Sequence, residues 1–316
     1  METVFDRYVD PDLIDRSLAG STLDTMWFDV LDIARPQYRP LTAPTRCDLL
    51  VVGGGYTGLW TALHAAQRNP GSDIVLIDTG RIGWAASGRN GGFVDASLTH
   101  GVENGLTRWP DEMARLDALG MENLDGMQAE IQRLGLAVEW ERTGMLTVAT
   151  EPHQPDWLRT AAQRGDGRFL DREQVRAQVD SPTYLAGLFS PEGTAIVNPA
   201  KLALELARAC AEAGVRIHEH TPASALTATG TGLSVTTPGG ALDADRIVLA
   251  TNVFPSLIRR NRFYTVPVYD YVLATEPLTA AQRDRIGWRA RQGVGDSANQ
   301  FHYYRLSADD RIVWGG

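Results

Sequence analysis

Lysine is nearly missing from this chain: Lys201 is the only one among 316 residues, and arginine carries almost all the positive charge. Schiff-base chemistry would have to use Lys201, which follows Asn198-Pro199 at an expected helix start and is expected to face solvent. No Gly-Lys-Ser/Thr triplet is present for a P-loop, and no Gly-x-Ser-x-Gly elbow supports a hydrolase. Cysteine is scarce too. Cys47 falls in an expected strand and Cys210 in an expected helix, so both read as small buried hydrophobes, not as a disulfide framework. Paired-Cys metal motifs are absent, and His218 and His220, expected on one face of a strand, have no third ligand near them in sequence; no metal is expected. No apolar run reaches membrane-spanning length, and Met1-Glu2-Thr3-Val4-Phe5-Asp6 has neither a basic start nor an apolar core, so a cytoplasmic location is the expectation. With a net charge of −9, 43% hydrophobic and 22% charged residues, the chain reads as a soluble globular protein without a nucleic-acid or anionic-membrane partner.

What the chain does have is glycine in a particular order. The apolar run Cys47 to Val52 has strand length, and Gly53, Gly55 and Gly58 follow it in the spacing Gly-x-Gly-x-x-Gly, with Tyr56 and Thr57 between. Those glycines allow a tight turn, close approach to a pyrophosphate and close helix-strand packing. The helix expected from Thr57 to Gln67 would aim unpaired N–H groups and a positive dipole end at the phosphates. A second strand, Asp73 to Ile77, ends in Asp78, 25 positions after Gly53, near the spacing of a ribose-binding carboxylate. Together these mark a dinucleotide cradle. The segment Ser87-Gly88-Arg89-Asn90-Gly91-Gly92 follows, with glycines that let backbone N–H groups converge and with Ser87 and Asn90 as donors; Arg89 either neutralises phosphate or reaches solvent.

A nicotinamide-linked dehydrogenase shares the first glycines and the acid, but its parallel sheet would continue directly. Here the chain leaves through the SGRNGG loop, and the sheet signal returns only near Val215, which favours FAD. Met113, Leu116, Leu119, Leu124, Met127, Ile131 and Leu134 mark a long amphipathic helix between Pro110 and Gly135, its stripe read as core. Strands are expected at 138–142, 145–149, 185–190, 215–219, 233–237, 246–250, 264–274, 301–306 and 311–314. Asp171 to Gln174 reads as a capping box, and a helix is expected from Asn198-Pro199 to Ala213. Residues 1–46, with prolines at 11, 36, 40 and 44 and the aromatics Trp27, Phe28 and Tyr38, suit an arm packed over a domain.

At GGGYTGL (53–59), GWAASGRNGG (83–92), IVLATN (247–252), PVYDY (267–271) and HYYRL (302–306), the chain resembles the D-amino-acid oxidase, glycine oxidase and sarcosine oxidase superfamily of FAD-dependent amine oxidoreductases, most nearly its γ-glutamylputrescine oxidase branch. The resemblance implies an α/β fold: a Rossmann-like FAD-binding domain of the glutathione-reductase type (47–98 and 199–262) with an interleaved antiparallel-sheet substrate domain of α+β character (99–198 and 263–316). It implies that Gly53, Gly55 and Gly58 hold the pyrophosphate, that Asp78, where glutamate is common, holds the ribose, and that Ser87 to Gly92 follow the cofactor toward the flavin. Ala223 would meet the adenine, and Thr251 would border the cradle. The implied reaction is oxidation of a C–N bond in a small amine or amino acid by hydride transfer to noncovalent FAD, then imine hydrolysis, with oxygen or another acceptor reoxidising the flavin. His302, Tyr303, Tyr304 and Arg305 are the candidates for the wall facing the flavin. Side-chain alternation allows at most two of them to share it. Tyr269 and Tyr271, on one face of an expected strand, rank second. Family members run on beyond residue 316, so a C-terminally truncated member is expected, either active or a non-catalytic flavin-binding fragment.

Overall fold

A computed structural model describes residues 10–21, 25–33, 35–230 and 232–316; residues 1–9, including the stretch read for a targeting signal, lie outside the described residues. Along the chain come α1 (Pro11–Leu18), α2 (Met26–Asp29), β1 (Thr45–Val52), α3 (Tyr56–Arg68), β2 (Ile74–Ile77), β3 (Phe93–Asp95), α4 (Val102–Arg108), α5 (Met113–Arg133), β4 (Met145–Ala149), α6 (Pro155–Arg164), β5 (Arg168–Leu170) and α7 (Arg172–Gln178). Then follow β6 (Ala186–Ser190), β7 (Thr194–Ile196), α8 (Pro199–Glu212), β8 (Arg216–His218), β9 (Ala225–Thr229), β10 (Gly232–Thr237), β11 (Gly240–Leu249), β12 (Val272–Ala274), α9 (Ala280–Ile286), β13 (Gly293–Asp296), β14 (Tyr303–Leu306) and β15 (Ile312–Gly315).

A six-stranded sheet has the order β8-β2-β1-β11-β10-β9. Its β8, β2, β1 and β11 run parallel, and β10 and β9 form an antiparallel extension. The continuous apolar runs of β1 and β2 are explained by burial on both faces. Val51 and Leu76 pack with Leu59, Leu63, Leu206 and Cys210 of α3 and α8, while Leu50, Val52, Val75 and Ile77 join Val235 and Leu242 on the other side. Asn198 caps α8 by accepting from the Lys201 N–H at 3.1 Å, Pro199 opens it, and Gly214 follows its end at φ +89°. The expected capping box at Asp171 and Gln174 is formed in both directions.

The seven-stranded sheet has the order β12-β15-β14-β13-β4-β6-β5. It is not purely antiparallel, as expected, because β13 lies parallel to β4, pairing Gly293 to Asp296 with Met145 to Val148. The long excursion between those strands provides the crossover a parallel pair needs. Residues 138–142 do not form the expected strand; a single bridge from Glu141 to Ile196 remains there. Of the strand expected over 264–274 only β12 exists, and Arg259–Tyr264 form a 3₁₀ turn. Along α5 the expected stripe buries Met113, Leu124 and Ile131 but leaves Leu119 exposed, and the close contact comes instead at Gly120, where a Cβ would lie 1.7 Å from the Ala96 carbonyl oxygen.

The arm straps the six-stranded sheet. Glu219, buried at the end of β8, accepts from the Ile82 and Tyr38 N–H groups, Arg35 donates to the Ile82 carbonyl, and Arg81 donates to that of Pro36. Lys201, expected in solvent, is buried and paired with Asp32 of the arm at 2.8 Å and with Glu139 at 2.7 Å. The α8 side chain faces the arm, which leaves it little water, and two carboxylates compensate its charge. His218 and His220 do not share a strand face: β8 ends at His218, and His220 takes a left-handed turn at φ +50°. Among the described residues no cluster of three metal-ligating side chains occurs, and no helix is long and apolar enough to cross a membrane.

Candidate functional site

Gly53 leaves β1 at φ +119°, with its Cα so near the next strand that a Cβ would sit 2.3 Å from the Ala250 carbonyl oxygen. Only glycine suits both conditions. Gly58, on the first turn of α3, packs on the turn it has just left, where a Cβ would lie 1.8 Å from the Gly53 carbonyl oxygen. At Gly55 a Cβ would press on the Ser87 side chain, 2.9 Å from its Oγ, and on no backbone atom. The first intrahelical bond is donated by Leu59 to the Gly55 carbonyl, which leaves the N–H groups of Thr57 and Gly58 beyond the reach of any helix carbonyl. The Tyr56 N–H is taken by Ser87 Oγ at 3.0 Å, and the Tyr56 hydroxyl donates to the Pro199 carbonyl. Burial pushes the Tyr56 phenol above its usual range, so it remains a donor.

Asp78, expected to hold the ribose, serves as an internal brace of the turn. Its Oδ2 accepts from the Gly54 N–H at 2.6 Å, and its Oδ1 accepts from the Gly80 N–H at 2.7 Å and from Trp84 Nε1 at 2.8 Å. A carboxylate offers about four acceptor sites, so about one is left for a sugar hydroxyl. This carboxylate fits the ribose end of FAD through that single site.

The SGRNGG loop is held mainly by its own polar groups. Asn90 Nδ2 donates to the carbonyls of Ala86 and Ser87, and its Oδ1 accepts from the Gly92 N–H. The Asn90 amide expected to serve the cofactor is thus committed to the loop. Ser87 Oγ accepts from Tyr56 and keeps its own proton to donate. Arg89 is exposed, with Nε on the Trp84 carbonyl at 2.6 Å. A Cβ at Gly88 would collide with the Gly83 carbonyl, one at Gly91 with the Tyr303 ring at 2.5 Å, and one at Gly92 (φ +76°) with the Val197 carbonyl. Ala223 lies half-buried after β8, and Thr251 follows the Ala250 carbonyl that backs Gly53.

Strand alternation divides the β14 candidates. Tyr303 and Arg305 face the loop, with the Tyr303 ring against Gly91 and edge-on to Phe93 and the Arg305 guanidinium donating to the Gly92 and Val197 carbonyls. Tyr304 points the other way, stacked on Trp314 at 4.2 Å with its hydroxyl 2.5 Å from that of Tyr184. His302 shares that parity and binds Asp296 at 2.7 Å through Nδ1. Neither Tyr304 nor His302 is brought to the loop. Burial and the Asp270 carboxylate, which accepts its hydroxyl, raise the Tyr303 pKa, so this phenol stays protonated at neutral pH. Tyr269 and Tyr271 are in no strand and are 83% and 74% exposed, so they line no cavity wall. Sequence reasoning missed Trp27, whose Nε1 donates to the Asn90 carbonyl; its place in a proline-containing arm gave no signal for that contact.

The comparisons with known proteins agree with this geometry. The family profile described as "DAO: FAD dependent oxidoreductase" matches residues 48–316. The probable oxidoreductase OrdL of Rhizobium meliloti is 30% identical over 308 residues, covering 92% of this chain and 68% of that protein. The gamma-glutamylputrescine oxidoreductase of Escherichia coli is 30% identical over 285 residues, covering 85% of this chain and 64% of that protein. The crystal structure of glycine oxidase from Geobacillus kaustophilus superposes with a TM-score of 0.67 at 18% identity, covering 85% of this chain and 70% of that one. The chain therefore spans about two thirds of the length of these relatives. The glycine cradle, the loop after Asp78 and the profile match together establish that this chain belongs to the DAO family of FAD-dependent oxidoreductases.

Proposed function

We propose that this chain oxidises a C–N bond of a small amine or amino-acid-like substrate. The observation that carries the reading is the convergence of Tyr303 on Gly91, which brings the second sheet against the glycine loop continuous with the cradle. FAD, when bound, would accept a hydride from the carbon beside the amine nitrogen; water then hydrolyses the imine. The N–H groups of Thr57 and Gly58 and the dipole of α3 would hold the pyrophosphate, and the free acceptor site of Asp78 a ribose hydroxyl. Ser87 would donate its hydroxyl, and Tyr303 and Phe93 would exclude water beside Gly91. Tyr303 keeps its proton, which Asp270 already accepts, and so contributes its ring to the wall rather than acting as the base. Loss of hydride requires the neutral amine, and the desolvated wall favours that form.

The sheet arrangement supports a division into a flavin unit at 47–98 and 199–262 and a substrate unit at 99–198 and 263–316, with the described part of the 1–46 arm as the strap. Two buried free thiols, Cys47 and Cys210, suit a reducing compartment such as the cytoplasm. Oxygen or another carrier would take the electrons. The names of the relatives suggest the substrates to try first: γ-glutamylputrescine and glycine. Anaerobic mixing of the FAD-loaded chain with each should bleach the oxidised-flavin band with at least one. Bleaching by a reduced nicotinamide nucleotide and by no amine would replace this reading with a nicotinamide-linked one. A second reading, a flavin-binding scaffold without turnover, is favoured by the exposed Tyr269 and Tyr271. It predicts flavin uptake with no bleaching by any amine.

A further inference from the structure

Two residues from opposite ends of the chain grip the SGRNGG loop by its carbonyls. Trp27 of the strap, only 1% exposed, donates from Nε1 to the Asn90 carbonyl at 2.9 Å. Arg305 of β14, 2% exposed, donates from Nη1 to the Gly92 carbonyl at 3.1 Å and to the Val197 carbonyl at 2.7 Å, and from Nε to the Leu306 carbonyl. The two touch each other, with the guanidinium carbon 5.6 Å from the centre of the Trp27 ring. Among the described residues no carboxylate lies within ion-pair distance of Arg305, so carbonyl dipoles and an aromatic face solvate its charge. Burial lowers the Arg305 pKa to about 10, which leaves it charged at neutral pH.

The peptide between the two grips is the informative one. A trans peptide is planar, so fixing the Asn90 carbonyl toward Trp27 turns the Gly91 N–H to the opposite side. Gly91 is buried, and among the described residues its N–H has no acceptor. A buried backbone donor without a partner is rare and points to an acceptor supplied by a ligand. The neighbouring Gly92 N–H, by contrast, is already spent on Asn90 Oδ1.

We propose that Trp27 and Arg305 are positioning residues that together fix the orientation of the Asn90–Gly91 peptide and so present the Gly91 N–H to an electron-rich atom of bound FAD. This rests on the family reading above and adds to it a role for the strap, which begins before the family's matched region at residue 48. Neither side chain needs to touch the cofactor. They act through the backbone they hold, so a Trp ring without its N–H should be nearly as poor as no clasp, although the packing would be intact.

Trp27→Phe tests this because it keeps an aromatic ring under Arg305 while removing the indole donor. In the flavin-free chain, amide hydrogen exchange over 86–93 should speed up about fivefold, roughly what one ordinary hydrogen bond supplies. The FAD dissociation constant should rise about as much, with a displaced oxidised-flavin band. Arg305→Met should move the same readouts, and the double variant should fall short of the product of the two because both act on one loop. Should Arg305→Met fail to fold, Trp27→Phe decides alone. Unchanged exchange in Trp27→Phe, or faster exchange with unchanged FAD affinity and spectrum, overturns the proposal. Failure of the wild-type chain to take up FAD overturns the functional reading instead, and is distinguishable because the exchange data on the flavin-free chain still report the clasp.

Discussion

The loop at 87–92 and the segment at 263–271 both carry glycine or aromatic motifs that resemble the same family, yet their physical states are opposite. In the loop, Gly88, Gly91 and Gly92 are buried, Asn90 makes three side-chain hydrogen bonds, and Trp27 and Arg305 add grips from outside. In the segment, Phe263, Tyr264, Val266, Val268, Tyr269 and Tyr271 are all at least 74% exposed. One hydroxyl joins the two regions, that of Tyr303, which lies against Gly91 and donates to Asp270. The contrast teaches that a cofactor loop can be specified by contacts from its own chain, whereas alternating aromatic and β-branched residues do not make a strand without a neighbour to pair with.

The contrast is broken most severely at the cradle. Gly58→Ala places a methyl group on the Gly53 carbonyl, a backbone atom that cannot move aside. It should cost about 3 kcal/mol or more, read as a lowered denaturation midpoint together with loss of FAD uptake. A retained midpoint would show the turn to be softer than its geometry. Next, Tyr304→Phe strands the Tyr184 hydroxyl in the core of the second sheet, and urea unfolding should show a loss of about 1 kcal/mol. Flavin binding should stay unchanged, because Tyr304 faces away from the loop; altered flavin affinity would contradict the division of β14 into two faces. On the exposed segment, Tyr269→Ser with Tyr271→Ser should change stability by less than about 0.5 kcal/mol while reducing binding of a hydrophobic dye. A larger loss would mean that these rings are packed.

The smallest effect concerns pH and lies far from both regions. Arg133 and Gln67 hydrogen bonds depress the Glu130 pKa from 4.5 to about 2. Because the folded value lies below the ordinary one, its contribution is complete above about pH 4.5 and is lost as pH falls toward 2. Glu130→Gln should flatten that acid limb of the stability profile and leave neutral pH nearly unchanged. An unaltered acid limb would show that the pair is screened by solvent.

Much of the fold is legible because its signals are local. The glycine spacing after β1, the acid after β2, the Asn198 cap and the Asp171 box each lie within a few residues of the structure they cause. Long-range partners are not legible. Nothing near Lys201 announces Asp32 and Glu139, and nothing near Trp27 announces Asn90, 63 residues away. The parallel pairing of β13 with β4 is hidden for the same reason. On β14, the period of two says that only two of the four candidates can share a face but does not say which two lie toward the loop; the contacts of Gly91 and Gly92 show them to be Tyr303 and Arg305. Asp78 shows a subtler limit, since spacing finds the carboxylate but not the three protein donors that already occupy it.

The most direct test of the central claim is flavin retention by the purified 316-residue chain after incubation with FAD and desalting, measured by visible absorption beside the Gly58→Ala variant. Oxidised-flavin bands near one equivalent in the wild type, and absent from the variant, are the expected result. A wild-type chain that emerges colourless, while circular dichroism shows it folded, would contradict the assignment of the glycine cradle and its loop to FAD.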